Sequence, residues 1–239
     1  LSVGITSGVL GINVSHELIH RVNNRLEPFL GRIMLATTCY LHWGIEHVRG
    51  HHRTVATPED PATARRGESL YTFWPRTVIG GFRNAYRLEA DRLARLGGKP
   101  GILRNAIHGY ILIELLIIAG LWWSFGFGAA LFFLAQSFVA VSLLEAVNYL
   151  EHYGMERKRL PDGSYEKVRP EHSWNSGHRL TNYFLFNLQR HSDHHYRPNR
   201  RYQILRDSRQ SPQLPNGYAG MVLLTLVPPL WRKVMDKRL

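Results

Sequence analysis

Nine of the chain's thirteen histidines fall into patterns. His16 and His20 form H-x3-H, His47, His51 and His52 form H-x3-H-H, and His191, His194 and His195 form H-x2-H-H. His152 stands in Asn148-Tyr149-Leu150-Glu151-His152-Tyr153-Gly154. On a helix, residues three or four apart share a face with Cβ atoms about 5–6 Å apart. Each cluster is therefore expected to aim its imidazoles at a common point, where metal–nitrogen bonds of about 2.0–2.1 Å need only a choice of rotamer. One such pair is a weak signal; three clusters, two of them closing in His-His, predict a metal centre. Nine ligands exceed the roughly four that a structural zinc takes. Shared between two metals they give four or five each, with positions left for oxygen species. Imidazole suits Fe, Zn, Cu and Ni alike, so ligand type does not name the metal.

Acids flank the histidines: Glu17 beside His16, Glu46 beside His47, Glu151 beside His152 and Asp193 beside His194. Adjacent helical residues point apart, so each acid is placed to bond a histidine of another cluster. Metal-bound imidazoles donate their free N–H to such groups, which fixes tautomer and orientation. His42 and His178 are further candidates for that supporting role, or for an ordinary hydrogen bond; His108 and His172 read as interfacial or loop residues.

Two other chemistries compete. His16-Glu17-Leu18-Ile19-His20 is an H-E-x-x-H, the zinc-protease signature with Glu as general base. In an apolar chain it would mark an intramembrane metalloprotease, but it leaves both His-His clusters without a task. A metal transporter needs ionisable residues deep in its spans, and only Glu114 and Glu145 offer themselves.

The elements that must carry these clusters start from the run 107–149, almost wholly apolar and interrupted mainly by Glu114, Gln136 and Glu145. It is long enough for two bilayer crossings of about 20 residues each. Ser124-Phe125-Gly126-Phe127-Gly128 is the turn, predicting a helical hairpin over 105–124 and 128–151 whose ends emerge on one side. The first two clusters are separated by an apolar stretch from Phe29 to Trp43; a straight helix of that length extends roughly 22 Å. A re-entrant or interfacial path is expected instead. Pro161-Asp162-Gly163-Ser164 reads as a turn, a small β-hairpin at most. The fold class is all-α: a polytopic membrane helical bundle with a cytoplasmic cap over the histidines.

Composition agrees. Lys and Arg number 30 against 18 Asp and Glu, a net charge of +12, concentrated in the polar stretches 46–105 and 151–218. Those stretches dilute the mean hydropathy to -0.22, and the positive-inside rule puts both in the cytoplasm. No nucleic-acid-binding motif accompanies the charge. Cys39 is the single cysteine, which excludes a disulfide framework and an iron–sulfur or rubredoxin-like module in this chain. The opening Leu1-Ser2-Val3-Gly4-Ile5 reads as the tail of a helix begun earlier. Residues 1–239 are expected to be one integral-membrane domain, a fragment whose N-terminal transmembrane helices are missing.

The stretch Glu46-His47-Val48-Arg49-Gly50-His51-His52-Arg53-Thr54-Val55-Ala56-Thr57-Pro58-Glu59-Asp60-Pro61 resembles the second histidine box of bacterial membrane alkane 1-monooxygenases. Asn187-Leu188-Gln189-Arg190-His191-Ser192-Asp193-His194-His195 is similar to their third box, Asn148–Gly154 to their intervening motif, and the likeness runs essentially end to end. Single boxes are shared with membrane desaturases; these longer stretches are more specific. The chain departs at His16-Glu17-Leu18-Ile19-His20-Arg21, where the family has Gly and then Lys around the second histidine, and at Gly177, where Asn is expected. The resemblance implies two non-heme irons held by the nine histidines and terminal hydroxylation of medium- or long-chain alkanes with O2. It implies rubredoxin as electron donor, an alkane substrate, contact with membrane lipid, and a multi-pass place in the bacterial inner membrane with the site facing the cytoplasm. Xylene-type and fatty-acid ω-hydroxylases are the sister readings. Arg65, Arg66, Arg197, Arg200 and Arg201 flank the second and third boxes and are candidates to steer an acidic electron carrier.

Overall fold

The computed structural model describes residues 1–97 and 104–239. Among them the chain is helical, without a β-strand, and forms two compact units: residues 1–50 with 79–143, and residues 51–78 with 144–239.

In the first unit, Ser2–Thr6, Ser7–Ile12 and Asn13–Ile19 run on from one another, the middle piece as a π-helix. Glycine sets how closely this run approaches its neighbour: a Cβ on Gly4 would fall 2.7 Å from Val139 Cβ, and one on Gly8 3.1 Å from Ala140 Cα. After Ile19 the chain turns back as helix Leu26–Ala36, packed on Asn13–Ile19 where Ser15 Oγ donates to the Gly31 carbonyl over 2.8 Å. This helix has 11 residues, short of the roughly 20 that cross a bilayer. The apolar stretch 29–43 is therefore not one rod. It ends in a turn at Thr37–Tyr40, with Cys39 in a left-handed conformation (φ 50°). Polar side chains of the apolar hairpin satisfy that turn: Gln136 Nε2 donates to the Thr37 carbonyl over 2.7 Å, and Glu114 accepts from the Leu41 N–H over 2.9 Å. Two of the three polar interruptions in the 107–149 run thus have a structural task, since a backbone group left unpaired in apolar surroundings is costly.

The hairpin itself lies within two residues of its expected bounds, as Ala106–Phe125 and Phe127–His152. Only Gly126 (φ 85°) separates the two helices, a conformation that favours glycine. Both are long and apolar enough to cross a membrane. The first buries only Ile107, while Leu116, Trp122 and Trp123 are exposed. One face of this helix packs against the rest of the unit through Ile107, Tyr110 and Ile111; apolar side chains left exposed on the others suit hydrocarbon rather than water.

The second unit has an aromatic core in which Phe73, Tyr149, Tyr153, Trp174, Tyr218 and Trp231 are fully buried. Three of its polar side chains are met within it: Tyr149 donates to the Glu68 carbonyl over 2.6 Å, Tyr153 to Asp236 Oδ1 over 2.7 Å, and Trp174 Nε1 to the Tyr153 carbonyl over 2.8 Å. Thr77 and Asn148 both donate to Glu145 over 3.1 Å, the third polar interruption of the run. The expected hairpin at 161–164 is reduced to one antiparallel bridge between Arg159 and Tyr165 around Gly163 (φ 83°).

Candidate metal centre

Each unit gathers histidines of its own. In the first, His16 and His20 at the end of Asn13–Ile19 meet His47. Ring centroids are 4.8 Å apart for His16–His20, 4.6 Å for His16–His47 and 5.1 Å for His20–His47, and the Nε2 atoms of His20 and His47 are 3.1 Å apart. Trp43, one turn before His47, stacks on its ring with centroids 4.3 Å apart and 25° between planes.

In the second unit, His51, His152, His191 and His195 each bring one ligand atom within 4.8 Å of the other three, and all four are buried. His152 Nε2 lies 3.2 Å from His191 Nε2, which lies 2.9 Å from His195 Nε2. His52 and His194 form a further pair, Nε2 to Nε2 3.0 Å, and His52 stacks on His195.

These separations test whether a metal fits. Two nitrogens bound about 2.1 Å from one ion at tetrahedral or octahedral angles stand about 3.0–3.4 Å apart. Imidazole pairs closing at 2.9–3.2 Å match the edges of such a polyhedron. The donors are also in the right charge state. Burial, reinforced by the neighbouring His52, His191, His51 and His152, holds His195 well below the usual imidazole range, and a ligating histidine must be neutral.

One expectation is corrected. His47 and His51 do not aim at a common point, and neither do His191, His194 and His195: His47 joins His16 and His20, His51 joins the buried quartet, and His194 pairs with His52. Residues four apart share a face yet stand about 5–6 Å apart along it, which is enough to give each a different set of neighbours. Locally the winding is also altered, because His47–His51 is a π-helix. Such wide turns recur at functional sites. Gly50 within it is hemmed in: a Cβ there would lie 2.5 Å from Asn84 Nδ2 and 3.0 Å from Glu46 Oε1.

The acids have varied partners. Glu151 Oε2 lies 3.1 Å from His191 Nε2 while Oε1 accepts from the Tyr218 hydroxyl over 2.7 Å. Glu46 accepts from Asn84 Nδ2 over 3.3 Å. Glu17 is taken by Arg21 one turn on, and Asp193 accepts from Arg200 Nη1 with both oxygens at 2.6 Å and from the Arg206 N–H over 2.9 Å. Of the remaining histidines, His178 bonds Thr181 Oγ1 over 3.1 Å on the surface and His172 Nε2 lies 3.3 Å from Glu166. His42 packs edge-on to Tyr40 and Phe82, and burial pushes its pKa down to about 4.

Two groups at the quartet were not singled out from the sequence. Asp60 Oδ2 lies 2.9 Å from His51 Nδ1, and it also accepts from Thr63 Oγ1 over 2.6 Å. This fixes the proton on Nδ1 and leaves Nε2 as the ligand atom, the carboxylate–histidine arrangement common at metal sites. Tyr218 is the other; burial and the adjacent Glu151 carboxylate hold its phenol protonated, its pKa well above the ordinary value. Asp60 lies in the quoted box, nine residues after His51; no helical spacing links the two, and nothing marks Tyr218 at all.

Buried imidazole clusters on a frame that is helical among the described residues, with two helices apolar enough to cross a membrane, define a histidine-box protein. The chain belongs to the fatty acid desaturase family, whose model matches residues 1–225. Among its relatives, alkane 1-monooxygenase 2 of Pseudomonas aeruginosa is 54% identical over 238 residues, 100% of this chain and 63% of that protein. Alkane 1-monooxygenase 2 of Alcanivorax borkumensis is 47% identical over 240 residues, 100% of this chain and 62% of the other. The xylene/toluene monooxygenase hydroxylase component of Pseudomonas putida is 31% identical over 237 residues, 99% of this chain and 62% of the other. The chain thus spans about three-fifths of the length of these curated relatives.

Proposed function

We propose that the chain is the metal-binding part of a membrane alkane 1-monooxygenase, hydroxylating the terminal carbon of medium- and long-chain n-alkanes with O2 and two electrons from rubredoxin. The observation that carries this is the buried quartet His51, His152, His191 and His195, in a chain 54% identical to an alkane 1-monooxygenase. His16, His20, His47, His51, His52, His152, His191, His194 and His195 would together hold two non-heme irons, with His51, His152, His191 and His195 gathered on one of them. Iron supplies the redox chemistry that activates dioxygen, which no side chain in this set supplies.

The chain's own residues do the rest. Asp60 keeps the His51 proton on Nδ1, and Tyr218 turns the Glu151 carboxylate toward His191. Glu46 and Asp193, next in sequence to His47 and His194, are held by Asn84 and by Arg200. Glu17, bound to Arg21, braces the helix end that carries His16 and His20; a carboxylate so engaged is poorly placed as a protease's general base. His178 shapes the loop before the third box. An alkane offers no polar handle, so selection falls to apolar helix faces that also keep water from the oxidant. Ala106–Phe125 and Phe127–His152 cross the bacterial inner membrane, in a multi-pass bundle whose arginine-rich cap lies on the cytoplasmic side. Rubredoxin docks on that basic face.

The test is metal content of the full-length protein, purified anaerobically in detergent. About two irons per chain, falling when His51 or His194 becomes Ala, with octane hydroxylation on adding rubredoxin, is expected. One zinc per chain, indifferent to changes at His191, His194 and His195, would overturn the reading. Toluene turned over in preference to octane would move the protein to the xylene-type hydroxylases.

A further inference from the structure

The first unit holds a cavity of about 660 Å³ that none of the nine histidines lines. Its charge is one-sided: Arg25, Arg32, Arg49 and Arg92 line it, against the single carboxylate of Glu89. Glu89 is already engaged. Arg92 holds it through Nη2 and Nε over 2.6 and 2.8 Å, and Arg49 Nη1 adds a third bond over 3.0 Å. Among the described residues neither Arg25 nor Arg32 makes an ion pair; Arg32 contacts the phenol of Tyr110. Two guanidinium groups thus face a cavity without a counter-charge, and guanidinium forks match phosphate oxygens in pairs.

The surroundings say what kind of anion this is. Val22 and Phe29 also line the cavity, and both are exposed. Leu26, Phe29, Leu30 and Ile33 are all exposed, and their spacing makes one apolar stripe along helix Leu26–Ala36. Arg25 immediately precedes that helix and Arg32 stands seven residues, or about two turns, further on, and Tyr110 lies in the first turns of Ala106–Phe125. Tyrosine at a span's end marks the headgroup level of a bilayer. A soluble anion would use the arginines and leave the stripe bare; a lipid uses both.

We propose that this cavity binds an anionic phospholipid, its phosphate on Arg25 and Arg32 and an acyl chain along the Leu26–Ile33 stripe. Basic pockets beside membrane helices take anionic headgroups in this way. The inference rests on reading Ala106–Phe125 as a membrane span.

The full-length protein in detergent is titrated with dioleoylphosphatidylglycerol and with dioleoylphosphatidylcholine, bound lipid being counted by native mass spectrometry. Wild type is expected to prefer the glycerol lipid by at least about tenfold, the change in Kd that about 1.4 kcal/mol produces. R25Q/R32Q should lose that preference, while R209Q/K237Q, the same charge change on exposed residues elsewhere, should keep it. Equal affinity for both lipids, or a preference that survives R25Q/R32Q, would overturn the proposal. So would displacement of the glycerol lipid by millimolar inorganic phosphate, which would make free phosphate the occupant. Alkaline carbonate separates the two readings: a chain it releases from membranes has no span, whereas a chain that stays and shows no preference loses only the lipid site.

Discussion

Tyr218 donates its hydroxyl to Glu151 Oε1 over 2.7 Å, and the other oxygen of that carboxylate lies 3.1 Å from the Nε2 of His191. A fully buried phenol thereby decides how a buried carboxylate faces the imidazole of His191. Tyr218→Phe removes the bond and keeps the ring in the aromatic core. Iron should then leave the protein about 10-fold faster or more in the presence of a ferrous chelator, the usual cost of losing such support, with the folded helical content unchanged. Release at the wild-type rate would mean that Glu151 holds its place without Tyr218.

Asp60 and His51 make the same argument from the other side of the quartet. In Asp60→Asn the acceptor on His51 Nδ1 loses its charge, while the bonds from Thr63 Oγ1 (2.6 Å) and the Ala62 N–H (3.1 Å) are replaced by weaker ones. Iron occupancy after dialysis should fall, with apparent affinity lower by about 10–100-fold. Full occupancy in the variant would reduce Asp60 to a loop-capping residue.

Gly50→Ala tests the close packing at the second box. The new Cβ would meet Asn84 Nδ2 at 2.5 Å and Glu46 Oε1 at 3.0 Å, both buried side chains bonded to each other. Overpacking of this kind costs about 1–3 kcal/mol, so the thermal midpoint in detergent should drop by several degrees. An unchanged midpoint would show that helix Leu70–Arg95 gives way easily.

Arg200 and Arg201 are adjacent in sequence but suited to different experiments. Arg200 is bound to Asp193, which neighbours His194, and is largely covered; Arg201 is exposed. Arg200→Ala should lower stability by about 1.5–3 kcal/mol, as loss of a charge-assisted bond does, and so cannot report on docking. Arg201→Glu with Arg65→Glu should instead slow rubredoxin-driven turnover at unchanged iron content, most at low salt. Turnover that is flat across a salt series would count against electrostatic docking.

The Glu89 carboxylate gives the first unit an acid limit. Hydrogen bonds from Arg92, joined by Arg49, hold its pKa below the ordinary carboxylate value. Its stabilising contribution is therefore complete above the unfolded value of about 4.3 and disappears as pH falls through the lower folded one. Thermal midpoints measured from pH 6 to pH 3 should fall more steeply for wild type than for Glu89→Gln. Parallel profiles would remove Glu89 from the acid transition.

Much of this was legible in the residues themselves. The hairpin bounds followed from an apolar run interrupted at Gly126, because length and a helix-breaking glycine are local properties. The histidines announced themselves by spacing. How they divide into groups did not, since that depends on a π turn and on which helix ends meet, both set by tertiary packing. Asp60 and Tyr218 were missed for the same reason: one reaches His51 from a loop, the other reaches Glu151 from 67 positions away. The acid of Asp193 was plain, but its neighbour Arg200 claimed it.

A π turn is a helix holding one residue more than its length calls for. At His47–His51, excising one of Val48, Arg49 or Gly50 would restore ordinary winding and give a more regular helix. It would also swing everything downstream round the axis by about 100°, carrying His51 and His52 off their present bearings. Heat resistance and chemistry therefore pull opposite ways over these five residues. A directed-evolution campaign scored on thermal tolerance alone would be drawn to shorten this turn, and would be rewarded with a sturdier protein whose histidines no longer meet.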